Sequence, residues 1–512
     1  MIYYVDSQYG NDNADGLTRQ SAFKSVTRIN QLQLHGYDSV LFKAGCEYVG
    51  NLHPTRKRGD GIIKFGRYGV GEDPCIVGEA GITFELFDFD EVEVSNICFT
   101  NPKGYQGIGI QNLSGGAMRH IHICNCSIRH INDERETYRY ESGGIICASF
   151  SQNEPGWFED LLIEDNNIED VARTGILLTG FWANRPTKLW GFNEYVSDTE
   201  NWWPSKQVIV RSNFINRTGG DGIVLIGTTD ALIEWNTVYN VMTNPVPHCA
   251  NAGIWPQSSN NCLIQYNEVA YCHKPEGCDD AQGIDVDLSC RNTIIQYNYT
   301  HDNEGGALLL CELPDTDDKD DFTGTIYRNN LSINDGNVKG EIIAIVGPVR
   351  GVKILNNTFC TSGNVSKIIE VFPMGDKVGK NVEFSRNILV SNGRDNFFNL
   401  LHAENFEFKD NLYWGACRNV PEGHINPLIE DPDFKHNEVY GDGMQTVFNY
   451  IPYNQSLILE DSTETSGTYD LCGYDVSDKS YIGAIYPVSE ERDTTGQENH
   501  YSMFSDKNET EE

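Results

Sequence analysis

Basic residues are scarce in this sequence: 38 lysines and arginines stand against 74 aspartates and glutamates, a formal net charge of -36. The field of such a chain repels polyanions, which disfavours nucleic acid, anionic membranes and polyanionic sugars as partners and leaves neutral ligands. Long apolar runs are missing too. No stretch approaches the roughly 20 residues that span a bilayer, and no basic segment followed by an apolar one follows Met1. The location expected from those absences is the cytoplasm. A disulfide framework is not expected either, because the 15 cysteines are odd in number and scattered through strand-like segments, as reduced buried thiols would be. No metal or other cofactor is expected, since Cys272, His273 and Cys278 in "CHKPEGC" match no usual zinc spacing.

What is abundant points to strands. The 49 glycines and the many Asn, Asp, Val, Ile and Tyr favour strands broken by turns over long helices. From residue 163 a short pattern recurs: hydrophobic, two residues, Asn, one residue, hydrophobic. It falls on Asn166, Asn213, Asn236, Asn267, Asn298, Asn329, Asn357, Asn387 and Asn411, first 47 and then 23 to 31 residues apart. That period marks a solenoid. Apolar residues alternate within each copy, so a repeat is a coil of short strands. Asn tolerates positive φ and its amide can bond the Asn one coil on, so a stacked ladder is expected.

A second segment shares the period: "TGILLTG" from Thr174, "DGIVLIG" from Asp221, "AGIWPQS" from Ala252, "QGIDVDL" from Gln282 and "GGALLLC" from Gly305. Two strands per coil at this spacing predict an all-β, right-handed parallel β-helix over residues 36–488. Residues 1–35 read as an N-terminal cap with a helix starting near Ser21, because a bare solenoid end exposes core and unpaired strands. The 47-residue gap places an aromatic-rich insertion at 180–207. Residues 489–512 are acidic and have little to bury, which predicts a disordered tail.

Side chains alternate along a strand and stacked coils keep register, so parity assigns faces. Ile176/Leu178, Ile223/Leu225, Ile284/Val286 and Ala307/Leu309 are expected inside. Leu177/Thr179, Val224/Ile226, Trp255/Gln257, Asp285/Asp287 and Leu308/Leu310 are expected outside, with Glu312 continuing the outer row. Two carboxylates on one strand face resist ionising together, which raises one pKa as a general acid requires. Pairs drawn from Asp280, Asp285, Asp287 and Glu312 can meet the carboxylate spacing of about 5 to 5.5 Å of a retaining glycosidase.

The opening "YYVDSQYGNDNADGLTRQSAFKSV", the "NPLIEDPDF" near the end and the block "DDAQGIDVDLSCRNTIIQYNYTHDNEGGALLLC" resemble β-helix glycoside hydrolases. The closest motifs are those of the lacto-N-biosidase family, glycoside hydrolase family 136, and its β-xylosidase and α-fucosidase relatives. In the pattern Asp-x-Gln-x-x-Asp-x-Asp the resemblance implies Asp280 as acid/base and Asp287 as nucleophile. The β-xylosidase-like pattern keeps Asp287 as nucleophile but takes the acid/base from the next coil, at Glu312. Asp285 is then a supporting carboxylate.

The expected activity is a retaining, exo-acting glycosidase on a neutral oligosaccharide. Trp255, Gln257, Gln282 and His248 are candidates to hold the sugar, with Trp182, Trp202 and Trp203 of the insertion, which also carries Trp190, overhanging the cleft. Two alternatives remain at this level: a calcium-dependent polysaccharide lyase, and a glycan-binding solenoid without catalysis. Nothing in the sequence fixes the oligomeric state.

Overall fold

The computed structural model describes residues 1–133, 141–183, 202–244, 250–313, 322–361, 363–417, 419–436, 440–459 and 467–489. Trp190, His248 and the tail from residue 490 lie outside the described residues. The chain divides into two compact units, one of Met1–Leu232, Asn236–Asn260 and Pro275–Asp279, the other of Ile233–Trp235, Asn261–Lys274 and everything from Asp280.

Each unit is a stack of coils, and each coil gives one short strand to each of three sheets. In the first unit, Val92–Ser95, Gly116–Cys124 and Gly156–Glu164 are neighbours in one sheet, and Cys98–Asn101, Ser127–Ile131 and Asn167–Val171 in a second. The third contains Gly143–Ser149, Thr174–Gly180, Ile223–Ile226 and Ile254–Gln257. The second unit repeats the plan, with Gln282–Val286, Gly306–Cys311, Glu341–Val346 and Lys367–Phe372 side by side in its third sheet. These neighbouring strands run parallel, as successive turns of one winding chain must. Among the described residues no helix is long and apolar enough to cross a membrane.

The expected asparagine ladder is present. Asn166 donates its side-chain amide to Asn213 and Asn213 to Asn236, each at 2.9 Å. In the second unit Asn267, Asn298, Asn330, Asn357, Asn387 and Asn411 are linked the same way at 3.0 to 3.1 Å. Two details depart from expectation. The rung is Asn330, not Asn329, and the positive φ falls on the residue before each rung: Asp165, Ser212, Tyr297, Asn329, Asn356 and Arg386 lie between 52° and 58°. The rung asparagine is selected for its amide, which satisfies backbone groups of the corner, and not for tolerance of a left-handed backbone.

The capping helix is also shorter than the periodicity implies. Residues Arg19–Ser21 form a 3-10 turn and the α-helix is Val26–Asn30, capped by the Ser25 hydroxyl and not by Ser21. Phe23 intervenes because its backbone bonds to Tyr4 and Asp6 of the first strand region. Among the described residues thirteen cysteines are free thiols, eleven of them buried, as expected of reduced thiols. Cys278 differs and is disulfide-bonded, which removes it as a soft metal ligand.

In the second unit a C-terminal segment docks on the coils through a buried charge network. His301 is fully buried and faces Glu268 at 3.2 Å and Asp302 at 3.0 Å, while Glu268 accepts the Gly443 N–H at 2.6 Å. Burial alone would lower the His301 pKa, but the Asp302 and Glu268 carboxylates outweigh it and hold the imidazolium up to about 9. The unfolded value is about 6.5, so the folded chain binds this proton more tightly. The resulting stabilisation, on the order of 3 kcal/mol, is complete below about pH 6.5 and is lost as pH rises through about 9. Thermal midpoints are therefore expected to fall between about pH 7 and 9.5, and His301→Gln should flatten that decline.

Candidate active site

In the first unit the expected faces hold. Ile176 and Leu178 pair with Ile223 and Leu225 inside, and Leu177 pairs with Val224 on the outer side. The outer row is nevertheless not a solvent surface. Ile146, Leu177, Ala183, Val224, Ile226, Ala252 and Trp255 form a second apolar cluster, covered in part by the stem of the insertion at Ala183. Trp255 is only 5% exposed, and its indole N–H donates to the buried carboxylate of Asp221 at 2.8 Å. Asp221 also accepts from the Asn251 amide and the Ala252 N–H. Gln257 is half-buried at the end of the same strand, in register with Ile226.

Both described ends of the insertion are pinned by their tryptophans. The Trp182 indole donates to the Ser151 carbonyl and that of Trp202 to the Ala183 carbonyl, each at 2.9 Å. Trp203 stacks on Trp157 with centroids 5.1 Å apart and remains 39% exposed.

The second unit holds the carboxylates, and here parity slips by one. Ile284 pairs with Leu308, Asp285 with Leu309 and Val286 with Leu310, so Leu308 and Leu310 face inward and Leu309 lies beside Asp285. The expected inner pair Ala307/Leu309 is thus the outer one. The cause is local: Gly306 takes φ of 133° and Gly305 donates to the Ala281 carbonyl at 3.0 Å, so one glycine is absorbed in the corner. A Cβ on Gly305 would lie 2.4 Å from the Asp280 carbonyl oxygen, so only glycine fits there.

The corrected register brings in a residue that the motif reading passed over. Cys311, in "LLLCEL", has outer parity in the strand paired with that of Asp285, and its thiol hydrogen-bonds Asp287. Burial pushes this thiol well above its ordinary pKa, and the charges of Asp287, Asp285, Asp280 and Glu312 push it further. Outward parity next to an acidic strand was the available signal, hidden by the glycine slip.

Glu312 does not continue the outer row. It follows the end of its strand at Cys311 and is 1% exposed, with one oxygen accepting the Ser289 N–H and the other the Leu313 N–H, both at 2.8 Å. Asp285 is buried, whereas Asp280 and Asp287 are half-buried and Asp279 is exposed. Burial pushes the Asp287 carboxyl up to about 7, and the Asp280 and Glu312 charges add to it, against hydrogen bonds from the Leu288 N–H and the Cys311 thiol. A carboxyl with that value exchanges its proton near neutrality, and because the group titrates with its neighbours the proton belongs to the cluster. Gln282 is fully buried at the start of the Asp285 strand, in register with Gly306. Among the described residues, the two groups with the donors for a metal ion are His120/His122/Asp160 and Glu268/His301/Asp442, neither within this carboxylate cluster.

The family model of the right handed β-helix region matches residues 143–313. The chain is a right-handed parallel β-helix. The β-helix is 24% identical over 442 residues to the lacto-N-biosidase of Bifidobacterium longum subsp. longum, which covers 70% of this chain and 27% of that relative. It therefore spans little more than a quarter of that relative's length. Among solved structures it is similar to the GH136 lacto-N-biosidase from Eubacterium ramulus, with a TM-score of 0.57 and 20% identity over 84% of this chain and 68% of that one. It is also similar to XylC, solved in complex with xylose, with a TM-score of 0.55 and 11% identity over 96% of this chain and 99% of that one. The resemblance read from the sequence motifs and these matches agree on a β-helix like those of family 136.

Proposed function

We propose that this β-helix is a retaining glycoside hydrolase that releases sugar from the end of a neutral oligosaccharide, with Asp287 as nucleophile and Asp280 as acid/base. The observation that supports it most is a set of carboxylates that bear on one another's charge, among which half-buried Asp287 exchanges its proton near neutrality, in a chain similar to lacto-N-biosidases. The nucleophile's role at Asp287 comes from the motif resemblance, because a raised pKa by itself would suit an acid/base equally. Asp287 attacks the anomeric carbon to form a glycosyl ester while Asp280 protonates the departing oxygen; Asp280 then takes a proton from water as the ester is hydrolysed. Asp280 is preferred to Glu312 because both Glu312 oxygens already accept backbone N–H groups. Glu312 is better suited to act as a fixed charge beside Asp287 than to carry a proton back and forth.

A nucleophile must be ionised, so kcat/KM is expected to fall as pH drops below about 7. Glu312→Gln removes a negative charge that raises the Asp287 pKa, and the acidic limb should move to lower pH. An unchanged limb would remove Glu312 from this role. Aryl glycosides of lacto-N-biose and xylose, the sugars in the names and titles of similar proteins, are the first substrates to test. Exo action predicts faster release from short oligosaccharides than from polymer, and equal rates on both would contradict it.

A further inference from the structure

A site outside the carboxylate cluster has the chemistry of a metal centre. Val92–Ser95, Gly116–Cys124 and Gly156–Glu164 are adjacent strands in the first unit. Ile121 is buried in register with Val92 and Leu161, which leaves His122 on the outer face opposite Glu93. Between the paired positions Arg119/Glu159 and Ile121/Leu161, His120 and Asp160 both take left-handed backbone, with φ of 52° and 61°. That conformation is unfavourable for histidine; it interrupts the alternation of the strand at His120, whose ring lies 4.0 Å between centroids from that of His122 on the same strand, while Asp160 takes the same backbone in the next coil.

Asp160 is gripped by both rings. Its oxygens lie 2.9 Å from His120 Nδ1 and 2.9 Å from His122 Nε2. One donor atom from each of the three residues lies within 4.8 Å of the others. Zinc about 2.0–2.1 Å from each donor needs donors about 3.4 Å apart, so small side-chain shifts admit it. The contacts of the second ring nitrogen of His120 point the same way. His120 also faces Glu93 through Nε2 at 3.3 Å, so both its nitrogens look at carboxylates. A neutral imidazole has one N–H and can satisfy only one of them. With a cation on Nδ1, the remaining Nε2–H donates to Glu93, which is the orienting carboxylate that metal-bound histidines usually have. Each of the three side chains is partly exposed, so an ion can enter from solvent. At Glu268/His301/Asp442, by contrast, the imidazole is fully enclosed and already ion-paired on both sides.

We propose that His120, His122 and Asp160 bind a divalent transition ion of the zinc class, oriented by Glu93, with a fourth position open to water or an exogenous ligand. The ion ties two neighbouring coils together, and it takes no part in the proposed hydrolysis. This departs from the sequence expectation of no metal.

The test is zinc titration of the chelator-treated full chain by calorimetry, with calcium and magnesium as controls, beside His122→Gln and Asp160→Asn. Wild type should bind one equivalent of zinc more than either variant, and zinc should raise its thermal midpoint by about 2 °C or more at saturating concentration. Glycosidase activity, if present, should be equal in all three. Equal zinc uptake and equal thermal response in wild type and variants would overturn the proposal. Should the variants fail to fold, cobalt(II) added to wild type decides it: intense visible d–d bands of a four-coordinate site that zinc abolishes are expected, and only the weak spectrum of the aquo ion would overturn it.

Discussion

Asp287→Asn is expected to reduce hydrolytic turnover on the order of 10⁴-fold while leaving sugar affinity within a few fold. The amide keeps the size of the carboxyl but cannot form a glycosyl ester, so the loss falls on kcat. The substitution also removes an ionisable group that burial and the Asp280 and Glu312 charges hold at about 7. A group whose folded pKa is raised above its unfolded value destabilises the fold once the pH ionises it. The variant should therefore be at least as stable as wild type near pH 8, and loss of activity cannot be put down to unfolding. Matched thermal scans, binding isotherms and initial rates check each part. A glycan-binding solenoid would show binding in both proteins and no turnover to lose.

The largest expected effect on stability comes from Asn298→Ala, about 3 kcal/mol or more by denaturant unfolding. The Asn298 amide donates at 3.0 Å to the Ile264 and Gln296 carbonyls and to Asn330, and its oxygen accepts the Asn267 N–H at 2.9 Å. Asn298 is fully buried, so no water replaces these partners when the side chain is cut back. Asn330→Ala should cost about as much, because it occupies the next rung. Asn329→Ala should cost less in lost hydrogen bonds, since the Asn329 amide reaches only the Tyr481 hydroxyl and the Ala484 carbonyl, with about 1 kcal/mol added for alanine in its left-handed backbone; Asn329→Gly, which lacks that addition, should cost less than Asn330→Ala. Equal effects at 329 and 330 would contradict the observed frame of the ladder.

The ladder shows why so much of the fold was legible. Asparagine at a fixed offset from alternating apolar residues has one repetitive job, and the spacing of Asn267, Asn298 and Asn387 states it directly. Where two residues of one type adjoin, the pattern can lose its phase: it keeps it at the "NN" of 166–167 and 356–357, but slips by one residue at the "NN" of 329–330 and the "GG" of 305–306. The second slip misplaced Leu308 and Leu310 and concealed Cys311, whose place depends on which glycine the corner absorbs.

The outer apolar row at Leu177, Val224 and Trp255 was read as an open face because alternation separates the sides of a sheet without saying what covers each. Asp280, Asp285, Asp287 and Glu312 are legible as a high charge density beside a strand, and their charges all bear on the Cys311 thiol. Glu312 owes its position to two backbone N–H groups and not to strand parity. His120 and His122, in "RHIHIC", carry no local signal of a site, because their partner Asp160 is 40 and 38 residues away and meets them only through coil stacking.

The most direct measurement is proton NMR of the wild-type chain mixed with a cleavable aryl glycoside, followed before the released sugar mutarotates. Double displacement at Asp287 predicts that the first anomeric signal has the configuration of the substrate, with the opposite anomer growing in later. A first product of inverted configuration, or no sugar released from any neutral glycoside tried, would contradict it.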